Sequence, residues 1–385
     1  MASTTDQARV RRFEGTIRVK GFRIAYVLWA PLGDREINVS DTYTIYDTLS
    51  LDPLSMTNHF EETMVCFHGW LDNANSYATL APMMAEKFNM RVIGIDLPGH
   101  GKSSHSPLGY YDASLYMVTM LRILHRLNLR AFHLMGHSLS AMFLPYLTPI
   151  LEHSGKFTVK SLICIEQFGA IRSAVDLKAV DIKKLLPSFD EQTYSEQESG
   201  EQQEATDSSE SDVEDIKKLP KLYSSIDELV RSRIYVTEQV YPGKQTIDET
   251  SAKLILERNV GKLIVIESHT RKKQVKYYLR FDPKLKKGTG AFNYGLVYDI
   301  PQMIKGLIAK TQCPSLGVFG ETGWPYLDLV ANSIQKLGMA NLEIIRMKGS
   351  HHLHADDPDR FLEAITPFLS NAIETYRKGG HGANG

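Results

Sequence analysis

"AFHLMGHSLSAMFLPYL", residues 131–147, is the stretch whose reading decides the fold. An apolar run from Ala131 to Met135 meets Gly136-His137-Ser138-Leu139-Ser140, and an apolar segment suited to a helix follows. Strand, Gly-x-Ser, helix is the order of a nucleophile elbow, a sharp and strained turn that leaves a serine hydroxyl exposed beyond a strand end. The positions two before and two after the serine must be small, because side chains there collide with neighbouring backbone. Gly136 meets that need fully, and Ser140 stands where a second glycine is usual. The competing reading makes Ser138 a plain cap for the helix starting at Leu139. The strand–turn–helix setting favours the nucleophile.

Outward from this point, short apolar runs alternate with helical patterns. Upstream lie a hairpin pattern at 16–30 around Lys20-Gly21, a strand "ETMVCFHGW" (62–70), a helix "SYATLAPMMAEKFN" (76–89), a strand from Arg91 to Ile95 and an amphipathic helix at 113–128. Downstream lie strands within 159–169, 313–323 and 340–352, then a closing helix at 357–378 with Asp357 as N-cap before Pro358. Such alternation predicts an α/β fold, a mostly parallel sheet with helices on both faces. The alternation stops near residue 170 and resumes near 311. Between them lie helical patterns at 224–240 and 248–260 and a basic run at 270–288. The expected division is a first core part at 1–170, a helical cap at 171–310, a second core part at 311–378 and a flexible tail at 379–385. Residues 31–60 read as an irregular surface insertion.

Composition narrows the class. The chain has 385 residues, a formal charge of −1 and 43% hydrophobic residues, ordinary values for a soluble globular protein. The N-terminus has no apolar core of a secretory signal, and no run of eighteen apolar residues suggests a membrane span. Cys66, Cys164 and Cys313 sit in or beside apolar runs, which suits reduced thiols and a cytoplasmic location. Residues 185–216 hold eleven acids and no Lys or Arg; without them, 34 acids face 44 bases. The Ser/Glu/Gln-rich 190–215 is expected to be disordered, since it has too little apolar surface to offset its ordering entropy. The basic run at 271–287 raises nucleic-acid binding, but without a recognised fold for it a solvated face is the better reading.

In an open parallel sheet, ligands bind beyond the carboxyl ends of the strands. His68-Gly69-Trp70, Asp96-Leu97-Pro98-Gly99, Ser138, Glu166, Gly320-Glu321 and His351 all fall at such ends. A serine nucleophile needs a base, and position selects it: in this fold order the histidine follows the last strand, within "KGSHHLHADDP". The three-histidine cluster there lacks the spacing and acidic partners of a metal site, so no metal is expected. His133, mid-strand, reads as a core histidine.

"CFHGWLDNANSYATLAP", "VIGIDLPGHGKSSH", "LMGHSLSAMF" and "GSHHLHADDPDRFLEAITPFL" together resemble the α/β-hydrolase superfamily, and within it the serine hydrolase-like proteins. "YSSIDELVRSR" and "YYLRFDPKLK" look like parts of that family's cap. The resemblance spans about 62–180 and 222–370. It implies Ser138 as nucleophile and His351 as base, with His352 one residue late. It also implies an oxyanion hole from the backbone N–H groups of Trp70 and Leu139. The acid departs from the pattern: most relatives carry Gly-x-x-Asp after the strand ending near 320, and here that position is Gly323. Glu166 and Glu321 are the candidates. Glu166 is preferred, because it looks like the position of the catalytic glutamate in haloalkane dehalogenases. The implied activity is serine hydrolysis of a carboxylic ester or thioester, a small-molecule acyl substrate, with no metal or organic cofactor. A non-catalytic binding protein of the same fold is the alternative.

Overall fold

The computed structural model describes residues 10–31, 62–107, 109, 111–169, 220–240, 245–266, 270–287, 310–323, 327–335, 339 and 341–379. Among them, eight strands form one sheet: β1 (Val10–Val19), β2 (Phe22–Pro31), β3 (Thr63–Phe67), β4 (Arg91–Ile95), β5 (Ala131–His137), β6 (Thr158–Ile165), β9 (Ser315–Gly320) and β10 (Leu342–Met347). Their spatial order is β1-β2-β4-β3-β5-β6-β9-β10. The β1–β2 hairpin is antiparallel and joins β4 antiparallel; every pairing from β4 to β10 is parallel. The mostly parallel α/β architecture read from the sequence is therefore the one observed.

Alternation along each strand sorts the interior into two cores. In β3, Val65 and Phe67 face one core while Met64 and Cys66 face the other; in β6, Leu162 and Cys164 part in the same way from Ile163 and Ile165. Helices α2 (Ala113–Arg126), α3 (Leu139–His153) and α7 (Leu327–Gln335) cover the first core, and α1 (Leu80–Phe88), the short α8 (Leu353–Asp356) and α9 (Pro358–Gly379) cover the second. Side chains cap the helix starts: Asp112 accepts from the Leu115 N–H, and Asp357 from that of Arg360. The predicted helix at 76–89 is split. Ala74–Tyr77 is a 3-10 turn capped by Asn73, and α1 begins only at Leu80. All three cysteines are buried free thiols.

Between β6 and β9 the chain forms α4 (Ile226–Val240), α5 (Glu249–Asn259), an antiparallel ribbon of β7 (Val260–Ile266) and β8 (Lys273–Leu279), and the short α6 (Lys284–Lys287). The helical cap expected from the sequence is thus only partly helical: the insert also holds an antiparallel ribbon. Lys262 and Lys273 stand on the ribbon's otherwise apolar face and interrupt the alternation that would mark it in sequence. The insert has its own small core of Tyr223, Leu229, Val230, Ile247, Ala252, Ile255 and Leu256. Side-chain amides bind it to the sheet: Asn73 and Asn75 donate to the α5 carbonyls of Ile255 and Leu254. Arg258 of α5 reaches both oxygens of the buried Asp96 at 2.9 and 2.8 Å. The expected disorder at 190–215, the tail beyond Gly379 and the insertion at 31–60 (apart from Pro31, which ends β2) lie outside the described residues.

Candidate active site

Ser138 lies between β5 and α3 with φ 50° and ψ −107°, a left-handed conformation that a serine adopts only under constraint. The constraint is visible. The Ser138 N–H donates to the Ile165 carbonyl at 2.8 Å, and its carbonyl accepts from Met142 in the first turn of α3. A Cβ at Gly136 would lie 2.6 Å from Leu144 and 3.0 Å from the Ala141 nitrogen, so that position must be glycine. Ser140, where a second glycine is usual, is fully buried, and its hydroxyl donates to the His68 carbonyl at 2.5 Å. The substitution ties the elbow to the end of β3.

His351 follows β10, and its Nε2 lies 2.9 Å from Ser138 Oγ. Its Nδ1 lies 3.3 Å from Glu166 Oε2. Glu166 directly follows β6, is fully buried and has φ 57°. Its other oxygen, Oε1, accepts from the Gly320 N–H. Glu321 is exposed. A Cβ at Gly323 would lie 2.6 Å from Glu166 Oε2 and 2.8 Å from Oε1. The absent aspartate and the present glutamate therefore occupy alternative solutions of one space: glycine at 323 is what lets the Glu166 carboxylate fit.

Gly69 passes close over the elbow, since a Cβ there would meet the Ser138 Cβ at 3.2 Å. The Asp72 N–H closes a turn onto the Gly69 carbonyl, with Leu71 at φ 61°. Leu139 is the first residue of α3, where backbone N–H groups lack helical partners and the helix dipole favours negative charge. Both expected oxyanion donors thus belong to backbone beside Ser138.

The other histidines have structural partners. The His68 Nε2 accepts from the Leu97 N–H, so its Nδ1 carries the proton it gives the Gly69 carbonyl; burial pushes its pKa down to about 4. His133 is fully buried and bonds Ser161 and Glu62, the core role expected of it. The His137 Nε2 donates to the backbone carbonyl of His351 at 2.8 Å, while its Nδ1 faces Asp72 at 3.5 Å. His352 turns away from Ser138 and lies 3.4 Å from Asp72. Among the described residues no group of His, Cys, Asp and Glu has metal-holding geometry.

Three residues that pattern reading passed over surround the base. Asp72 is fully buried between His137, His352 and Arg233 of α4. Burial alone would raise its pKa; His352, Arg233 and hydrogen bonds outweigh that and hold the carboxyl well below the usual range. The buried Gln245, from the insert, accepts from the His351 N–H at 3.2 Å and donates to the Thr322 carbonyl at 3.1 Å. Burial first, then the neighbouring His137 and Arg233, pushes the His351 pKa well below the usual range, with Asp72 opposing. The imidazole is therefore neutral at pH 7, as a proton acceptor must be. Asp72, Arg233 and Gln245 lack a local motif. The Asp-Asn-x-Asn run after His-Gly-Trp was the available signal, and only for the loop.

Comparison with known proteins agrees with this fold. A family model described as the alpha/beta hydrolase fold matches residues 62–196. A serine hydrolase-like protein of Dictyostelium discoideum is 26% identical over 318 residues, covering 80% of this chain and 75% of its own. A probable serine hydrolase of Drosophila melanogaster is 26% identical over 320 residues, covering 81% and 82%. The thioesterase domain from the curacin biosynthetic pathway superposes with a TM-score of 0.60 at 16% identity, covering 93% of this chain and 99% of that domain, a likeness of fold. With the sheet order, the strained serine after β5 and these matches together, the chain has the α/β-hydrolase fold and is similar in sequence to serine hydrolase-like proteins.

Proposed function

We propose that the chain is a serine hydrolase that cleaves a carboxylic ester or thioester through an acyl-enzyme. The observation that carries this reading is the continuous relay from Ser138 Oγ to His351 Nε2 (2.9 Å) and from His351 Nδ1 to Glu166 (3.3 Å). Ser138 Oγ attacks the acyl carbon as His351 Nε2 takes its proton. Glu166 accepts from Nδ1–H, fixes the tautomer and stabilises the imidazolium that forms. The N–H groups of Trp70 and Leu139 bind the oxyanion. The imidazolium then protonates the departing alcohol or thiol, and water attacks the acyl-enzyme with His351 again as base. No step draws on a metal or organic cofactor. Serine rather than aspartate at 138 speaks against dehalogenase and epoxide-hydrolase chemistry, which use a carboxylate nucleophile. The names of the relatives point the same way. In this reading, 1–170 and 311–378 form the catalytic core and 171–310 a cap over it.

The test is a fluorophosphonate probe. The wild-type protein should label and hydrolyse p-nitrophenyl acetate, and Ser138→Ala should do neither while melting at the same temperature. Equal labelling of the variant places the nucleophile elsewhere. An unreactive wild type leaves the non-catalytic, ligand-binding reading in its place.

A further inference from the structure

Among the described residues nine large apolar side chains are exposed, and six of them lie in the insert: Tyr235, Val236, Ile264, Val265, Ile266 and Val275. Four of the six crowd the far half of the β7–β8 ribbon. Register shows how. On one face of the ribbon the cross-strand pairs run Val260↔Leu279, Lys262↔Tyr277, Ile264↔Val275 and Ile266↔Lys273. At the near end Val260, Leu279 and Tyr277 pack against the core of the insert. The same face then continues past that core, where a solvated ribbon would turn polar. It stays apolar instead: Ile264 is 68% exposed, Ile266 58% and Val275 50%, and Val265 on the opposite face 37%.

Charge surrounds this apolar end with one sign. Residues 260–279 contain Lys262, Arg271, Lys272, Lys273 and Lys276 against the single acid Glu267. Lys262, Arg271, Lys272 and Lys273 are exposed. Aliphatic side chains ringed by cations match a surface that is apolar inside and anionic at its boundary. We propose that the far half of the ribbon docks on an anionic lipid surface, with Ile264, Ile266 and Val275 entering the acyl boundary and the four exposed cations meeting headgroup phosphates. A second copy of the chain would bring these cations against their own kind. A nucleic acid would take the cations but leave the aliphatic side chains in water, with no exposed aromatic ring there for bases to stack on. The proposal stands independently of the hydrolytic reading.

Co-sedimentation of the full chain with vesicles tests it. The protein should pellet with vesicles of equal parts phosphatidylcholine and phosphatidylserine, stay in solution with phosphatidylcholine alone, and be released by high salt. Lys272→Gln with Lys273→Gln should lower partitioning about twenty-five-fold, at roughly fivefold per cation. Ile264→Ser with Ile266→Ser should abolish it, and a Trp at Ile266→Trp should shift its emission to the blue on adding the mixed vesicles. All three variants should keep the wild-type melting temperature, because these side chains leave the folded core untouched. Failure of the wild type to pellet, or binding indifferent to the Ile and Lys changes, overturns the proposal. So does a wild-type dimer that Ile264→Ser converts to a monomer, which makes a second copy the occupant. Vesicle binding seen only after deletion of 190–215 also overturns it, for the eleven acids of that region then cover the ribbon in the intact chain.

Discussion

Arg233 and Asp72 are joined by a 2.6 Å ion pair that crosses from the insert to the turn after β3. Asp72 also faces His137, and His137 holds the backbone carbonyl of His351. The Arg233 side chain of the insert is thus three contacts removed from His351, through the buried Asp72 carboxylate and His137.

Removing that carboxylate should be costly. Asp72→Asn leaves Arg233 without its partner, and breaking a buried pair from one side costs about 3–5 kcal/mol. The folded pKa of Asp72 lies below its ordinary value of 3.8. Its contribution is therefore fully present above that value and lost as pH falls through the folded pKa. The gap in melting temperature between wild type and Asp72→Asn should be constant at neutral and mildly acid pH and shrink only below the ordinary carboxylate range. A gap that narrows already near pH 6 would assign the effect to the histidines instead.

The acid can be tested by moving it. Glu166→Gln should lower kcat by about 10^4, the scale on which loss of tautomer control acts in such relays. Glu321→Gln should leave kcat within about twofold, as an exposed surface change does. Gly323→Asp alone should fold poorly, because its Cβ would lie 2.6 Å from Glu166 Oε2. Glu166→Ala with Gly323→Asp removes the clash and should recover part of the lost kcat. Recovery by neither arrangement, with Glu166→Gln fully active, would remove Glu166 from the relay.

The pH–rate profile follows from the environment of His351. The base must be neutral to accept the proton of Ser138, and its pKa is held below the ordinary 6.5. The acid limb of kcat/KM should accordingly fall below pH 6.5, with activity flat from there to neutrality. A limb at or above 6.5 would mean that Glu166 outweighs burial in the free enzyme.

Gln245 bridges the loops that carry His351 and Thr322. Gln245→Leu should lower kcat about tenfold with little change in KM, since it loosens the base without touching a substrate contact. Stability should fall by about 1–3 kcal/mol, the cost of leaving buried polar groups unpaired. Equal loss in KM would make Gln245 a substrate contact.

The fold was legible because its signals are local. Strand runs, the small residues flanking Ser138 and the helix cap at Asp357 each depend on a few neighbours in sequence. Glu166 was legible as one of two candidates, by its place at a strand end; that it shares one space with Gly323 shows only in three dimensions. Asp72, Arg233 and Gln245 escaped, because their partners are 161 and 106 residues away and no spacing rule reaches so far. The β7–β8 ribbon escaped for a different reason: lysines stand at positions where alternation calls for apolar residues.

The relay also has an order in time. Ser138 and Glu166 are 213 and 185 residues from His351, with the whole insert between. As the ribosome extends the chain, the elbow and its carboxylate emerge long before the imidazole. A nascent or truncated chain that ends before β10 carries a serine without a base. In the proposed mechanism, reactivity toward an acyl group is thereby withheld until the last strand is in the sheet, and the chemistry becomes a reporter of completed folding.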